Sequence, residues 1–214
     1  QTADGAAALD ALVAEGLPTF LLGHSEGGMI AEAVAAGRDD LAGVVLLAAP
    51  AATGEETMAW QTRQIADALP AFARTVVKLL RVDVVAQQAK SVAAVKATTT
   101  DVARIKGAKI NAKWQRELLA FDPAPHLERI TAPTLAITGR KDLQVNADDL
   151  PRIAELIAAP VETHAPADLT HLLRAEAGAP SLATYKKLAR RPLDAQLLTT
   201  VTDWMAARLA PVAR

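Results

Sequence analysis

The chain has 214 residues, 51% of them hydrophobic, and a formal net charge of −1, which suits one globular domain with a sizeable core. It contains no cysteine, so disulfides, thiolate catalysis and cysteine-ligated zinc are excluded. The near-neutral charge gives no electrostatic footprint for nucleic acid or an anionic membrane, so we expect neither as a partner. No segment has the length of a transmembrane helix, and we expect a cytoplasmic location.

The first quarter of the chain alternates between helix and strand patterns. Apolar residues at helical spacing predict a helix over 4–15. A short apolar strand is predicted over 19–22, and a helix of small residues over 26–36. The continuous apolar run 41–49 is typical of a strand covered on both faces, as in a parallel sheet.

The segment from 53 to 119 shows helix patterns and no convincing strand. It is too long for a simple crossover between parallel strands. We therefore predict a helical insertion that lies over one end of the sheet. The large apolar residues expected to face its core or the pocket beneath it are Trp60, Leu69, Leu80 or Trp114.

Regular α/β alternation resumes after the insertion. Strands are predicted over 134–139 and 161–164, and helices over 149–158 and 194–209. The fold class predicted from these patterns is α/β. The four strands, near Thr19, Val44, Leu135 and Val161, are expected to lie side by side in one parallel sheet.

A G-x-S-x-G motif links the first strand to the second helix, in Gly23-His24-Ser25-Glu26-Gly27. In a strand–turn–helix setting this motif lifts the serine hydroxyl out of the backbone. Glycines on both sides let the turn close and let a substrate carbonyl approach. We therefore predict that Ser25 is a nucleophile, the alternative being an ordinary turn serine.

A serine nucleophile needs a base, and the chain has only four histidines. His24 adjoins the serine but is expected to point away from it and to pack beside the turn. His126 lies in a proline-rich connection and His164 inside the last strand, where ordinary structural roles are expected. His171 lies in the loop beyond that strand, where ligands meet an open parallel sheet, so it is the preferred base.

The base needs an acid that orients it, and Asp142 is the preferred candidate. It follows the strand 134–139 directly, after a glycine that allows a tight turn, and the alternative is a surface turn aspartate. Asp148 and Asp149 come later and fit the N-terminus of a helix, where acids are favoured by the helix dipole.

These motifs together resemble the α/β-hydrolase superfamily, and specifically its capped serine esterase-like branch. Ser25, Asp142 and His171 follow the chain order described for that superfamily. The resemblance is carried by Gly23 to Gly28, Leu46 to Pro50, Trp114, Phe121 to Pro123, Ile137 to Val145 and Asp168 to Leu173.

The resemblance implies Ser25 as nucleophile, His171 as base and Asp142 as the orienting acid. It also implies a parallel-sheet core, formed by 1–52 and 126–214, and a helical cap formed by 53–125. The core would be the C-terminal part of the family's sheet, with about four strands.

The resemblance also implies an oxyanion hole with two backbone donors. One is the N–H after the nucleophile, which belongs to Glu26, and the other comes from a loop after an early strand. Only about 20 residues precede the motif, fewer than the family's early strands need. We therefore expect an upstream segment or companion chain that completes the sheet and supplies the second donor.

The function expected from the sequence is hydrolysis of carboxylic esters through an acyl-enzyme intermediate. The substrate would be a small-molecule ester, and no metal or organic cofactor is required. The same triad can hydrolyse thioesters, amides or carbon–carbon bonds, and resemblance of fold does not choose among them. A further alternative is a non-catalytic fragment or interaction module of hydrolase ancestry.

Overall fold

A computed structural model describes residues 1–209. The strands are β1 (Phe20–His24), β2 (Gly43–Leu47), β3 (Val102–Ile105), β4 (Ala108–Asn111), β5 (Thr134–Ile137) and β6 (Val161–His164). The α-helices are α1 (Thr2–Val13), α2 (Glu26–Ala35), α3 (Gly54–Asp67), α4 (Ala71–Leu79), α5 (Val84–Lys96), α6 (Ala112–Ala120), α7 (Ala124–Leu127), α8 (Leu150–Leu156), α9 (Tyr185–Leu188) and α10 (Ala195–Leu209). Short 3-10 helices cover Ala147–Asp149 and Leu182–Thr184.

Four strands form one parallel sheet in the order β1-β2-β5-β6. Each of the four strands predicted from the sequence is present, within a few residues of its expected bounds. The predicted α/β class and parallel arrangement are therefore confirmed.

Helices cover the sheet on both faces, and the side chains of β2 divide between them. Val44 and Leu46 are fully buried against α1, α2 and α8. Val45 and Leu47 point the other way, against α10, where Trp204 is packed. This burial on both faces explains why β2 is a continuous apolar run rather than an alternating one.

The segment between β2 and β5 contains helices α3 to α7, as predicted, but it also contains an antiparallel hairpin. Strands β3 and β4 pair from Val102↔Asn111 to Ile105↔Ala108. The expectation that this insertion has no strand is therefore wrong. Lys106 and Gly107 form the two-residue turn with φ of 51° and 82°, the geometry of a tight hairpin.

The sequence signal for this hairpin is weak, because the strands are only four residues long and Lys-Gly lacks the usual Asn-Gly or Asp-Gly pair.

Strand β1 lies at the edge of the sheet. Among the described strands it pairs only with β2, from Phe20↔Gly43 to His24↔Leu47. The side chain of Leu22 in its middle is 49% exposed. In the described structure, the outer backbone N–H and C=O groups of β1 therefore have no strand partner. Part of the apolar face of β1 is exposed to solvent.

Within residues 1–209, each helix is too short or too polar to span a lipid bilayer.

One carboxyl group is buried in the core behind the sheet. Glu32 of α2 is 0% exposed, and both of its carboxyl oxygens lack a hydrogen-bond partner. Burial, and secondly the nearby Asp149 carboxylate, raise the pKa of Glu32 well above its usual value. Asp149 accepts hydrogen bonds from Ala51 N at 3.0 Å and Ala52 N at 3.4 Å, and burial raises its pKa as well.

This burial makes stability depend on pH. The folded chain keeps the Glu32 proton at pH values where the unfolded chain has released it, so the free energy of unfolding falls as pH rises above about 4.5. We expect Glu32→Gln to remove that fall. Urea denaturation at pH 5, 7 and 9 measures it, with exposed Glu155→Gln as the control. An unchanged pH dependence in Glu32→Gln would contradict the raised pKa.

Candidate functional site

Ser25 lies in a strained turn between β1 and α2, which we call the elbow. Its backbone has φ 57° and ψ −120°, a conformation that a residue with a side chain rarely adopts. Ser25 N donates to Leu47 O at 2.9 Å, which ties the turn to the end of β2. Gly23 is required before it, because a β-carbon there would collide with the Gly27 carbonyl oxygen. This geometry confirms the predicted strand–turn–helix setting of the motif.

The sheet register brings the loops that carry the predicted site residues to the carboxyl end of the sheet. His24, Leu47, Ile137 and His164 are aligned across the four strands, each as the last residue of its strand. The loops after β1, β5 and β6 therefore leave the sheet at the same end, with β2 between β1 and β5.

Asp142 and His171 meet in a buried pair at this end of the sheet. His171 Nδ1 lies 2.8 Å from Asp142 Oδ2, and both residues are only 5% exposed. Asp142 Oδ1 accepts from Gln144 N at 2.7 Å and Val145 N at 2.9 Å, so the turn holds the carboxylate in one orientation. Because the carboxylate accepts, the pairing places the proton on His171 Nδ1 and leaves Nε2 as the free basic nitrogen.

Contacts that the sequence analysis did not anticipate hold these two loops together. Gly139 packs so closely that a β-carbon there would collide with the Leu169 carbonyl oxygen. Lys141 N donates to Leu169 O at 3.1 Å, and Lys141 Nζ forms a 2.6 Å ion pair with Asp168. The positions of Asp142 and His171 are thereby coupled.

The structure shows no hydrogen bond between Ser25 Oγ and His171, so it brings together two of the three predicted residues by direct contact. His164 is at the surface, where its Nε2 lies 2.7 Å from Glu162 Oε1. His126 stacks on Phe121 with the ring centroids 5.2 Å apart.

His24 has a contact that sequence reasoning missed. Its Nε2 lies 2.9 Å from the His171 carbonyl oxygen, and the two rings are 4.9 Å apart. Burial, and then the neighbouring His171, lower the pKa of His24, which favours a neutral ring that donates through Nε2. His24 therefore holds the backbone of the loop that carries His171. Its place directly before Ser25 gave no signal of this, since the partner is 147 residues away.

We expect His24→Phe to lower kcat by about 10- to 100-fold, because the ring volume is kept while the bond that positions His171 is lost. The KM should change little. Steady-state kinetics on a p-nitrophenyl ester measure both constants, and His24→Gln, which keeps a donor, should restore part of the rate. His164→Phe at the surface is the control. A kcat equal to wild type in His24→Phe would contradict this role.

A cavity of about 230 Å³ opens over Ser25. Its walls come from the elbow, from α3 and α6 of the insertion, and from the loop after β5. The residues with apolar side chains that line it are Met29, Pro50, Met58, Trp114, Leu118 and Val145.

The insertion is attached to the elbow by one hydrogen bond. Trp114 Nε1 donates to Glu26 Oε1 at 2.6 Å. Glu26 is the first residue of α2, so its backbone N–H has no acceptor within the helix. Of the large apolar residues expected at the pocket, Trp114 lines the cavity, whereas Leu80 is 66% exposed.

One family model matches the chain, over residues 2–177, and it is described as Hydrolase_4, serine aminopeptidase S33. This match includes Ser25, Asp142 and His171. No curated protein matches the chain.

Several solved structures share the fold. Est1E from Butyrivibrio proteoclasticus with bound ferulic acid has a TM-score of 0.56 and 15% identity, covering 96% of this chain and 68% of its own. Monoacylglycerol lipase from Paleococcus ferrophilus has a TM-score of 0.52 and 18% identity, with 97% and 76% covered. Proline iminopeptidase from Mycobacterium smegmatis has 0.50 and 14%, with 92% and 68% covered. At these identities the likeness shows the fold alone.

Proposed function

The chain belongs to the serine aminopeptidase S33 family of α/β-hydrolases, and on this premise we propose that it cleaves carboxylic esters through an acyl-enzyme intermediate. The observation that carries the proposal is the buried Asp142–His171 pair, which lies at the same carboxyl end of the sheet as the strained elbow of Ser25. Nucleophilic acyl transfer needs a raised hydroxyl and an oriented imidazole within its reach, and we propose that His171 comes within reach of Ser25 when substrate binds.

In the proposed mechanism, His171 Nε2 takes the proton of Ser25 Oγ as the oxygen attacks the substrate carbonyl. Asp142 keeps the other ring proton on Nδ1 and stabilises the imidazolium that forms. The Glu26 N–H, at the positive end of α2, donates to the oxyanion. His171 then protonates the leaving alcohol, and water hydrolyses the acyl-enzyme. A hydrogen bond between Ser25 Oγ and His171 Nε2, absent from the described structure, would form in the substrate complex.

The cavity walls support an ester of an apolar acyl group. Met29, Met58, Leu118 and Val145 surround Ser25 with apolar surface. The monoacylglycerol lipase that shares the fold acts, by its name, on an ester with an acyl chain. Initial rates on p-nitrophenyl esters with acyl chains of two to twelve carbons test the proposal, and the absence of hydrolysis across the whole set would overturn it.

One observation favours amide hydrolysis at a free amino terminus as a second candidate. Glu26 is the one ionisable side chain among the described residues that line the cavity, and a carboxylate there would attract an ammonium group. The family description names a serine aminopeptidase, and one structural neighbour is named a proline iminopeptidase. Aminoacyl p-nitroanilides, assayed beside the esters, separate the two candidates.

The cap side chains should set acyl-chain preference. We expect Met58→Ala to enlarge the cavity and shift the ratio of kcat/KM values toward longer acyl chains by about 10-fold or more. The p-nitrophenyl ester series measures the ratio. Met205→Ala, on the α10 side of the sheet, is the matched control. An unchanged chain-length profile in Met58→Ala would refute a role of this cap residue in recognition.

We also propose that a further segment pairs with the open edge of β1 and supplies the second oxyanion donor. The support is the unpaired edge of β1 beside Ser25 and the half-exposed Leu22. Intact-mass analysis of purified active protein, with a search for an associated polypeptide, tests it. A monomer of these 214 residues that is soluble and fully active on esters would refute the proposal.

A further inference from the structure

Helix α4 presents a face of large apolar side chains to solvent. Phe72 and Leu79 are each 80% exposed, and Leu80, which follows the helix, is 66% exposed. Val76 on the same face is 36% exposed. Among the α-helices of residues 1–209, α4 alone has no buried residue. The apolar face of this amphipathic helix is therefore directed away from the protein rather than into its core.

The opposite side of α4 carries only positive charge. Arg74 and Lys78 lie on the helix and Arg81 directly after it, and no aspartate or glutamate occurs between 68 and 82. At 100° per residue, Arg74 and Lys78 occupy the arc opposite Phe72 and Val76, and Arg81 follows the helix with a φ of 51°. The segment is thus a short basic amphipathic helix.

The exposed apolar surface continues from α4 to the next helix of the cap. Val85, at the start of α5, is 41% exposed and lines a second cavity of about 410 Å³ between α3 and α5. Five of the 13 exposed large hydrophobic residues in the described chain fall between Phe72 and Val85. This concentration marks an interaction surface rather than scattered surface residues.

We propose that α4 docks the cap onto an anionic lipid surface. An amphipathic helix with Phe and Leu on one face and Lys or Arg on the other lies in the plane of the interface, with its apolar side chains among the acyl chains. Arg74, Lys78 and Arg81 would reach the negative headgroups, each cation strengthening binding about fivefold. The net charge of −1 for the whole chain averages over this stretch, which has three cations between 68 and 82 and is flanked by Asp67 and Asp83. Lipid docking by α4 thus departs from the expectation of no membrane partner.

A second copy of the chain fits this surface less well. In a two-fold dimer the same patch meets itself, so the positive charge of 68–82 would find no negative partner there. An anionic lipid surface supplies the opposite charge.

Vesicle sedimentation tests the proposal with the full chain. The probes are vesicles of phosphatidylcholine alone, and of phosphatidylcholine with 30 mol% phosphatidylglycerol. We expect the wild type to partition onto the anionic vesicles at least tenfold more strongly than onto the neutral ones. Phe72→Ser with Leu79→Ser should lower that partition at least tenfold, and Arg74→Gln with Lys78→Gln should remove the preference for phosphatidylglycerol.

Leu17→Ser with Leu198→Ser is the matched control, because these leucines are 71% and 47% exposed elsewhere on the surface. It should bind vesicles like the wild type. Absence of binding to anionic vesicles, or equal loss in the control, would overturn the proposal. A wild-type dimer by light scattering that Phe72→Ser with Leu79→Ser makes monomeric would assign the face to a second copy instead. None of these readouts depends on ester hydrolysis.

Discussion

Replacing Ser25 by alanine is expected to abolish ester hydrolysis and covalent labelling by a fluorophosphonate probe. The variant lacks the oxygen that attacks the substrate carbonyl in the proposed mechanism, and the loss in kcat should be on the order of 10⁴- to 10⁶-fold. Alanine keeps the β-carbon, so the strained φ of 57° is unchanged and the melting temperature should stay close to wild type. Probe labelling followed by intact-mass measurement gives the result directly.

Ser91→Ala is the control for this experiment, because Ser91 lies on α5, does not line the cavity at Ser25, and bonds only to Gln87 O and Lys106 Nζ. It should label and hydrolyse like the wild type. Labelling that persists in Ser25→Ala would exclude Ser25 as the nucleophile. A wild type that neither labels nor hydrolyses any ester or aminoacyl anilide would favour the non-catalytic alternative.

Asp142→Asn should lower kcat by about 10⁴-fold near pH 7 while leaving the fold intact. The amides of Gln144 and Val145 already donate to Oδ1, so the asparagine side chain would keep its oxygen there and turn its NH₂ toward His171. Nδ1 would then have to accept, and the ring proton would move to Nε2. A ring protonated on Nε2 cannot take the proton of Ser25, so the base is lost through the wrong tautomer.

Asp148→Asn is the matched control, because Asp148 lies on the same loop but is exposed and paired with Arg140 at 2.6 Å. Its kcat should remain within about twofold of wild type, since surface ion pairs contribute little. Kinetics on one p-nitrophenyl ester, with a melting curve for each variant, complete the comparison. A kcat for Asp142→Asn within tenfold of wild type would show that this carboxylate does not orient the base.

Local sequence patterns determined the elements of the core and the place of the elbow. The apolar run that contains β2 is long and uninterrupted, and burial on both faces follows from that composition alone. The turn at Ser25 needs only a strand, small neighbours and a helix, all of which lie within about 15 residues. The sequence indicates Asp142 and His171 because each follows a strand, and the structure brings the two side chains into contact. Their catalytic roles stay predictions.

Tertiary structure decided the contacts whose partners are distant in sequence. The bond from His24 to the His171 backbone, the attachment of Trp114 to Glu26, and the burial of Glu32 near Asp149 each join residues more than 80 positions apart. Helical periodicity could identify the apolar face of α4, but it could not show that this face is left in solvent. An amphipathic pattern states which side chains share a face, whereas only the packed chain shows what covers that face.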